Sequence, residues 1–239
     1  MAQHSKGVAI VGGVTIVVLI GTAFLIGKRE QGAAEARNAL YLAQKKHDAE
    51  MRALQPPPPP APDPKKGPKT EKDAKAATPP AEPQDDIEFK SLDVDAKLPE
   101  TVKAYRLVID KFSGSRAAYD AQMALGRLYL QHGQAATSEK ILTQAVGSAP
   151  RGVEKALALS ALGYAREAQG KLKEAADSFN QAAATGEDAV QGDVLLALAR
   201  CYEGMNDPTN ARATYDKVIS KLPNTEHARN AELFKAQLQ

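Results

Sequence analysis

Apolar and polar positions alternate differently in successive parts of this chain, and each pattern predicts a different element. The run GVAIVGGVTIVVLIGTAFLIG, Gly7 to Gly27, holds no charged residue over its 21 positions. As a helix it would measure roughly 31 Å, which matches a bilayer core of about 30 Å. The pattern therefore predicts a transmembrane helix over 7–27 after a short tail, 1–6. A cleaved signal peptide is the alternative. Its apolar region would be shorter and a small-residue cleavage site would follow, whereas here Lys28, Arg29 and Glu30 follow. An uncleaved anchor is expected.

The next stretch, 28–54, contains AAEARNALYLAQKKHDAEMRAL, rich in strong helix formers and free of proline. Ala33, Ala36, Leu40, Ala43 and Leu54 fall on one seam, broken by polar His47 and Glu50. The expectation is a solvated helical stalk that continues the membrane helix. A coiled coil along the seam is the alternative, and it would need several sustained heptads.

Residues 55–97 change character again. Eleven of the fifteen prolines fall between Pro56 and Pro83. Proline lacks the N–H that helix and sheet need, and the lysines and acids around it leave little to bury. This Pro/Lys/Ala-rich segment reads as a disordered spacer that sets the reach of whatever follows. Recognition of its PxxP pattern is the sharper alternative.

From Leu98 to Gln239 an apolar helical period returns and repeats itself every 34–37 residues. Three repeats align, over 119–152, 156–189 and 192–225. Each first helix carries a leucine followed by a small residue: Leu125-Gly126, Leu162-Gly163 and Leu198-Ala199. An aromatic follows as Tyr129 and Tyr202, with Arg166 in its place in the middle repeat. The turn holds Gly133, Gly170 and Asn206, which tolerate left-handed backbone angles. Each second helix then places a small residue (Ser138, Ala175, Ala211), a large one (Leu142, Phe179, Tyr215) and a third crossing residue (Ala145, Ala182, Val218). A half repeat over 98–115 supplies a further second helix with Tyr105 and Val108 in the filling positions, and 225–239 reads as a polar-faced cap helix.

These residues resemble the tetratricopeptide (TPR) repeat family. The fold class this implies is all-α: a TPR-type helical-hairpin solenoid, here preceded by one transmembrane helix and a Pro-rich linker. Stacking is obligatory in such arrays, because no single pair can bury its apolar face alone. The architecture also resembles single-span inner-membrane YfgM-like TPR proteins, whose periplasmic domain associates with the Sec translocon and periplasmic chaperones. It resembles less closely the periplasmic TPR proteins of the Tol system.

The resemblance implies a concave groove lined by first-helix side chains. By register these are Asp120, Met123, Arg127 and Gln131 from the first repeat. Ser160, Tyr164 and Glu167 follow from the second, with Leu157 beside them. Asp193, Leu196, Arg200 and Glu203 come from the third. Arg127 and Arg200 flank Tyr164, an arrangement suited to a partner polypeptide through charge-assisted bonds and stacking. The alternative is that the arginines pair with Asp120, Glu167, Asp193 or Glu203 on a solvated face.

Charge and composition then exclude other classes. The 31 basic and 29 acidic residues leave a net charge of +2, tryptophan is absent, and no basic stripe marks a nucleic-acid surface. The single cysteine, Cys201, allows no internal disulfide and reads as a small buried hydrophobe. The four histidines lack ligand spacing, and no phosphate loop or nucleophile elbow occurs. No catalytic, cofactor or metal site is expected.

The expected function is a membrane-anchored adaptor or scaffold at the cell envelope, ancillary to protein translocation or periplasmic chaperoning. The alternative is a structural subunit of a secretion or motility machine that oligomerises through the juxtamembrane helix. The basic residues after the apolar run favour a cytoplasmic C-terminal part. Long domains are translocated regardless of such charge, and the spacer resembles those of bacterial envelope proteins. The inner membrane with a periplasmic C-terminal domain is the expected location.

Overall fold

A computed structural model describes residues 3–55 and 92–238, with side chains from Arg29 onward. The described residues form helices and no strand. A long α1, Gln3–Leu54, comes first, and a single turn, α2, Val94–Lys97, follows the next described segment. Then come α3 (Pro99–Lys111), α4 (Arg116–Gln131), α5 (Ala135–Ser148), α6 (Val153–Glu167) and α7 (Leu172–Ala184). The last are α8 (Asp188–Gly204), α9 (Pro208–Lys221) and α10 (Glu226–Gln237). Among the described residues no helix is long and apolar enough to cross a membrane. The anchor expected over 7–27 involves side chains that lie outside the described residues.

Local chemistry sets the helix ends. Ser115 caps α4 by accepting the Ala118 N–H at 3.1 Å, and Thr225 caps α10 by accepting the Ala228 N–H at 3.2 Å. Asp207 caps α9 with Pro208 at its first position, where a missing N–H costs nothing. The residues expected at the turns within pairs, Gly133, Gly170 and Asn206, all have positive φ, 76°, 73° and 56°.

Packing within the pairs follows from the small residues of the first helices. A Cβ on Gly126 would stand 2.6 Å from Leu142 Cδ2, and one on Gly163 would stand 2.5 Å from Phe179 Cε1. The glycines are therefore what lets each large residue seat against its partner helix. Leu142, Phe179 and Tyr215 are all essentially sealed from solvent. Successive pairs meet through three apolar clusters along the stack, with Val146 and Leu157 packed against two of them.

The N-terminal end of the stack departs from the sequence expectation. The seam of α1 is packed rather than solvated: Ala36 and Ala43 are buried, and Leu40 and Leu54 pack against the same cluster as Tyr105, Val108, Leu125 and Tyr129. The half repeat 98–115 is thus a whole repeat, with α1 as its first helix and α3 as its second. The seam meets α3 and α4 of its own chain, which leaves it no face for a coiled coil.

One of the two polar seam positions, Glu50, has a physical role in this pairing. The N-cap position of α3 is Leu98, which offers no side-chain acceptor. The Glu50 carboxylate takes that place, accepting the Glu100 N–H at 3.1 Å and the Thr101 N–H at 2.8 Å. Lys46 adds an ion pair to Glu100 at 2.7 Å.

The spacer reading changes accordingly. Its disorder was expected over residues that, from 56 to 91, lie outside the described set. What the structure shows is where that segment attaches. It joins the two helices of one pair, both packed in one core, so it does not separate α1 from the repeats. The expected spacer also ends too late, because Asp93 caps α2 within it, accepting the Asp95 and Ala96 N–H groups.

Candidate functional site

The first helices of the pairs, α1, α4, α6, α8 and the unpaired α10, stand side by side. Their shared face carries the residues that the repeat register nominates. Polar side-chain contacts cross it from α4 to α6, from α6 to α8 and from α8 to α10. Arg116 of α4 reaches Asp120 on its own helix at 3.0 Å and Glu154 of α6 at 2.6 Å. Glu167 of α6 accepts two bonds from Arg200 of α8, at 2.6 and 2.9 Å. Asp193 of α8 faces His227 of α10 at 2.9 Å.

Several nominated residues are therefore committed to the fold. The bond to Glu167 raises the Arg200 guanidinium further above its ordinary value. Glu203 accepts the Tyr215 hydroxyl at 2.9 Å. Met123 and Ser160 are covered by neighbouring helices and offer a partner almost no surface. Tyr164 is half-buried, its ring edge-on to Phe179 with centroids 5.0 Å apart, and burial pushes its phenol up. Leu196 is half-buried as well.

What remains open is narrower than the register suggests. Arg127 and Gln131 are exposed, and among the described residues they make no hydrogen bond or ion pair. Arg200 pairs with Glu167 rather than standing free to flank Tyr164, so the symmetrical pair of guanidiniums is not formed. Cys201, just behind this face, is buried, and burial pushes its thiol up to about 11. It has the character of a packed apolar residue, not of a nucleophile.

The sequence reading missed the contribution of α1. Arg37 and Leu40 line, with Ala33, Ala36, Arg116 and Asp120, a cleft of about 180 Å³ between α1 and α4. The signal was present: α3 reads as a second helix with no first helix directly before it, and an Ala/Leu seam stands just upstream of the prolines. Among the described residues, no group of three or more histidine, cysteine, aspartate or glutamate side chains could hold a metal ion.

Two tetratricopeptide-repeat models match this array, over residues 123–190 and 167–238. The chain carries tetratricopeptide repeats over residues 123–238. Two crystal structures of a Podosopora anserina protein with nearly identical TPR-like repeats share the fold, each with a TM-score of 0.51 and 19% identity. The similarity covers 60% of this chain and 78% of theirs. No curated protein matches the chain. The TPR repeats make it a scaffold for protein–protein interaction.

Proposed function

We propose that the concave face of this TPR array holds a segment of another protein, and that the apolar run 7–27 moors the array to the inner membrane. One observation carries the first part. The first helices are tied to one another from α4 through to α8 by ion pairs and on to α10 by the Asp193–His227 hydrogen bond, so the face is formed before any partner arrives. Preorganisation of this kind lowers the ordering cost of binding. The run's length and lack of charge support the second part, and the resemblance to YfgM-like proteins supports a periplasmic array serving Sec translocon components or periplasmic chaperones.

The geometry of α1 alters how such an anchor would work. Nine residues separate Gly27 from Ala36, where α1 meets the repeats, about 14 Å of helix. The array would therefore ride close above the bilayer on a helical post, and the Pro-rich segment would not set its reach. The alternative, an assembly subunit joined through the seam of 33–54, loses support because that seam is already covered.

A photo-crosslinking amino acid placed at Arg127 or Gln131 of the full chain tests the binding face. Adducts are expected there and not from exposed Lys140 or Lys173 on second helices. Equal yields from both faces would overturn the reading. Resistance to alkaline carbonate extraction, lost on deleting 7–27, tests the anchor.

A further inference from the structure

The joint between α1 and the repeats contains a titratable group that the packing leaves incompletely satisfied. His47 sits on the buried seam one turn before Glu50. Its Nδ1 is enclosed and has no hydrogen-bond partner, and the same is true of Thr101 Oγ1 on α3, which Glu50 meets through the backbone. Elsewhere on this joint the polar groups are matched: Glu50 to the α3 N-terminus and Lys46 to Glu100. A half-buried imidazole with one enclosed, unpartnered nitrogen is better tolerated neutral than charged, because enclosing part of a cation without a partner costs free energy.

We propose that the α1–repeat joint is a proton-operated latch, in which charging of His47 releases α1 from α3 and α4. The groups around His47 set its direction. On α1 itself, Asp48 and Glu50 favour the charged form. From α3, Tyr105 and Thr101 bring no cation-stabilising charge at neutral pH, and Glu100 is occupied by Lys46. From α4, His132 adds a second imidazole that opposes a charge on the first. Burial outweighs the carboxylates, and His47 is held below its ordinary value of 6.5. The released helix therefore binds a proton more readily than the docked one. Docking is full above about pH 6.5, and it weakens as the pH falls below that value.

The released state is intelligible from the topology. Residues 56–91 would still connect α1 to α2, so undocking would replace a fixed joint with a 36-residue tether without dissociating the chain. The later repeats, whose interior is built on Leu142, Phe179 and Tyr215, hold one buried imidazole, His132, but among the described residues no other enclosed imidazole nitrogen lacks a hydrogen-bond partner. Acid would loosen the first pair and spare the rest.

Spin labels on the full chain at Arg52→Cys and Lys103→Cys, both exposed, read the joint directly; buried Cys201 stays unlabelled in the folded protein. A single narrow distance is expected at pH 7.5. A longer, broad population should rise severalfold by pH 5, with helical content of the remaining repeats retained. His47→Leu should abolish the response and remain docked at pH 5, while His227→Gln, at the far end of the array, should leave it unchanged. If His47→Leu cannot dock even at pH 7.5, His47→Gln serves, with the same loss of pH response expected. An unchanged distance distribution between pH 7.5 and pH 5, or an undiminished response in both His47 variants, overturns the proposal.

Discussion

The Glu50 carboxylate accepts the backbone N–H of Thr101 at 2.8 Å, across 51 positions of sequence. One side chain of α1 thus serves as the N-cap of α3. Replacing a capping acceptor by alanine costs about 0.5–2 kcal/mol. Glu50→Ala should lower stability by about that amount in urea titration. The amides of Glu100 and Thr101 should exchange faster with deuterium, while those of α8 and α9 are unaffected.

The 36 residues from 56 to 91 close a loop between two helices of one pair. Closure entropy grows with the logarithm of loop length. Replacing them by a six-residue Gly/Asn loop should therefore leave the fold intact and stabilise it by about 1.5 kcal/mol. A protease site placed in the segment should, after cutting, leave two fragments that migrate together on gel filtration. Separation of the fragments at neutral pH would contradict the pairing of α1 with α3.

Two helical glycines should respond in opposite directions. A methyl at Gly163 meets the buried Phe179 ring at 2.5 Å, whereas nothing lies within 4 Å at Gly147. Gly163→Ala should cost about 1–3 kcal/mol through overpacking. Gly147→Ala should stabilise by about 0.5–1 kcal/mol through backbone entropy. Thermal melts of the two variants make the comparison.

Arg166 stands where its sister repeats carry Tyr129 and Tyr202, and the structure shows what replaces the aromatic. It bonds Glu139 at 3.1 Å and Ser178 at 2.8 Å, while Lys171 and Gln169 hold the other Glu139 oxygen at 2.6 and 2.9 Å. Lys171 foremost, then Gln169 and Arg166, hold the Glu139 carboxyl down to about 2 against the opposing effect of burial. A carboxyl depressed in the fold contributes stability above its unfolded value and loses it as pH falls through its folded one. Glu139→Gln should therefore cost about 1.5–3 kcal/mol at pH 7. The difference from the parent should shrink between about pH 4.3 and pH 2, read by urea midpoints across that range.

The repeats were legible because their rule is local. A small residue on one helix and a large one on the next, as in Gly163 and Phe179, lie within about one repeat of each other. The pairing of α1 with α3 was not, since its two halves flank the prolines and neither contains a glycine turn to announce the other. The seam at Ala36, Leu40 and Ala43 was visible in the sequence, but periodicity identifies a buried face without saying what buries it. His47 and Glu50 looked like breaks in that seam because their value lies in the backbone and side chains they meet. On the proposed binding face, the positions that the register named lie on first helices. The register could not show that Glu167 and Arg200 would satisfy each other, or that Met123 and Ser160 would be covered.

The split first repeat also shapes how the molecule is made. As the nascent chain leaves the ribosome, the seam of α1 emerges roughly 45 residues before α3 begins, and at about 5–20 residues per second that is a wait of several seconds. Meanwhile its alanine and leucine stripe is open to chaperones or to a neighbouring nascent copy. The glutamate and histidine set into that stripe make it less adhesive during this interval, so Glu50, which fastens the finished joint, also guards its unfinished half.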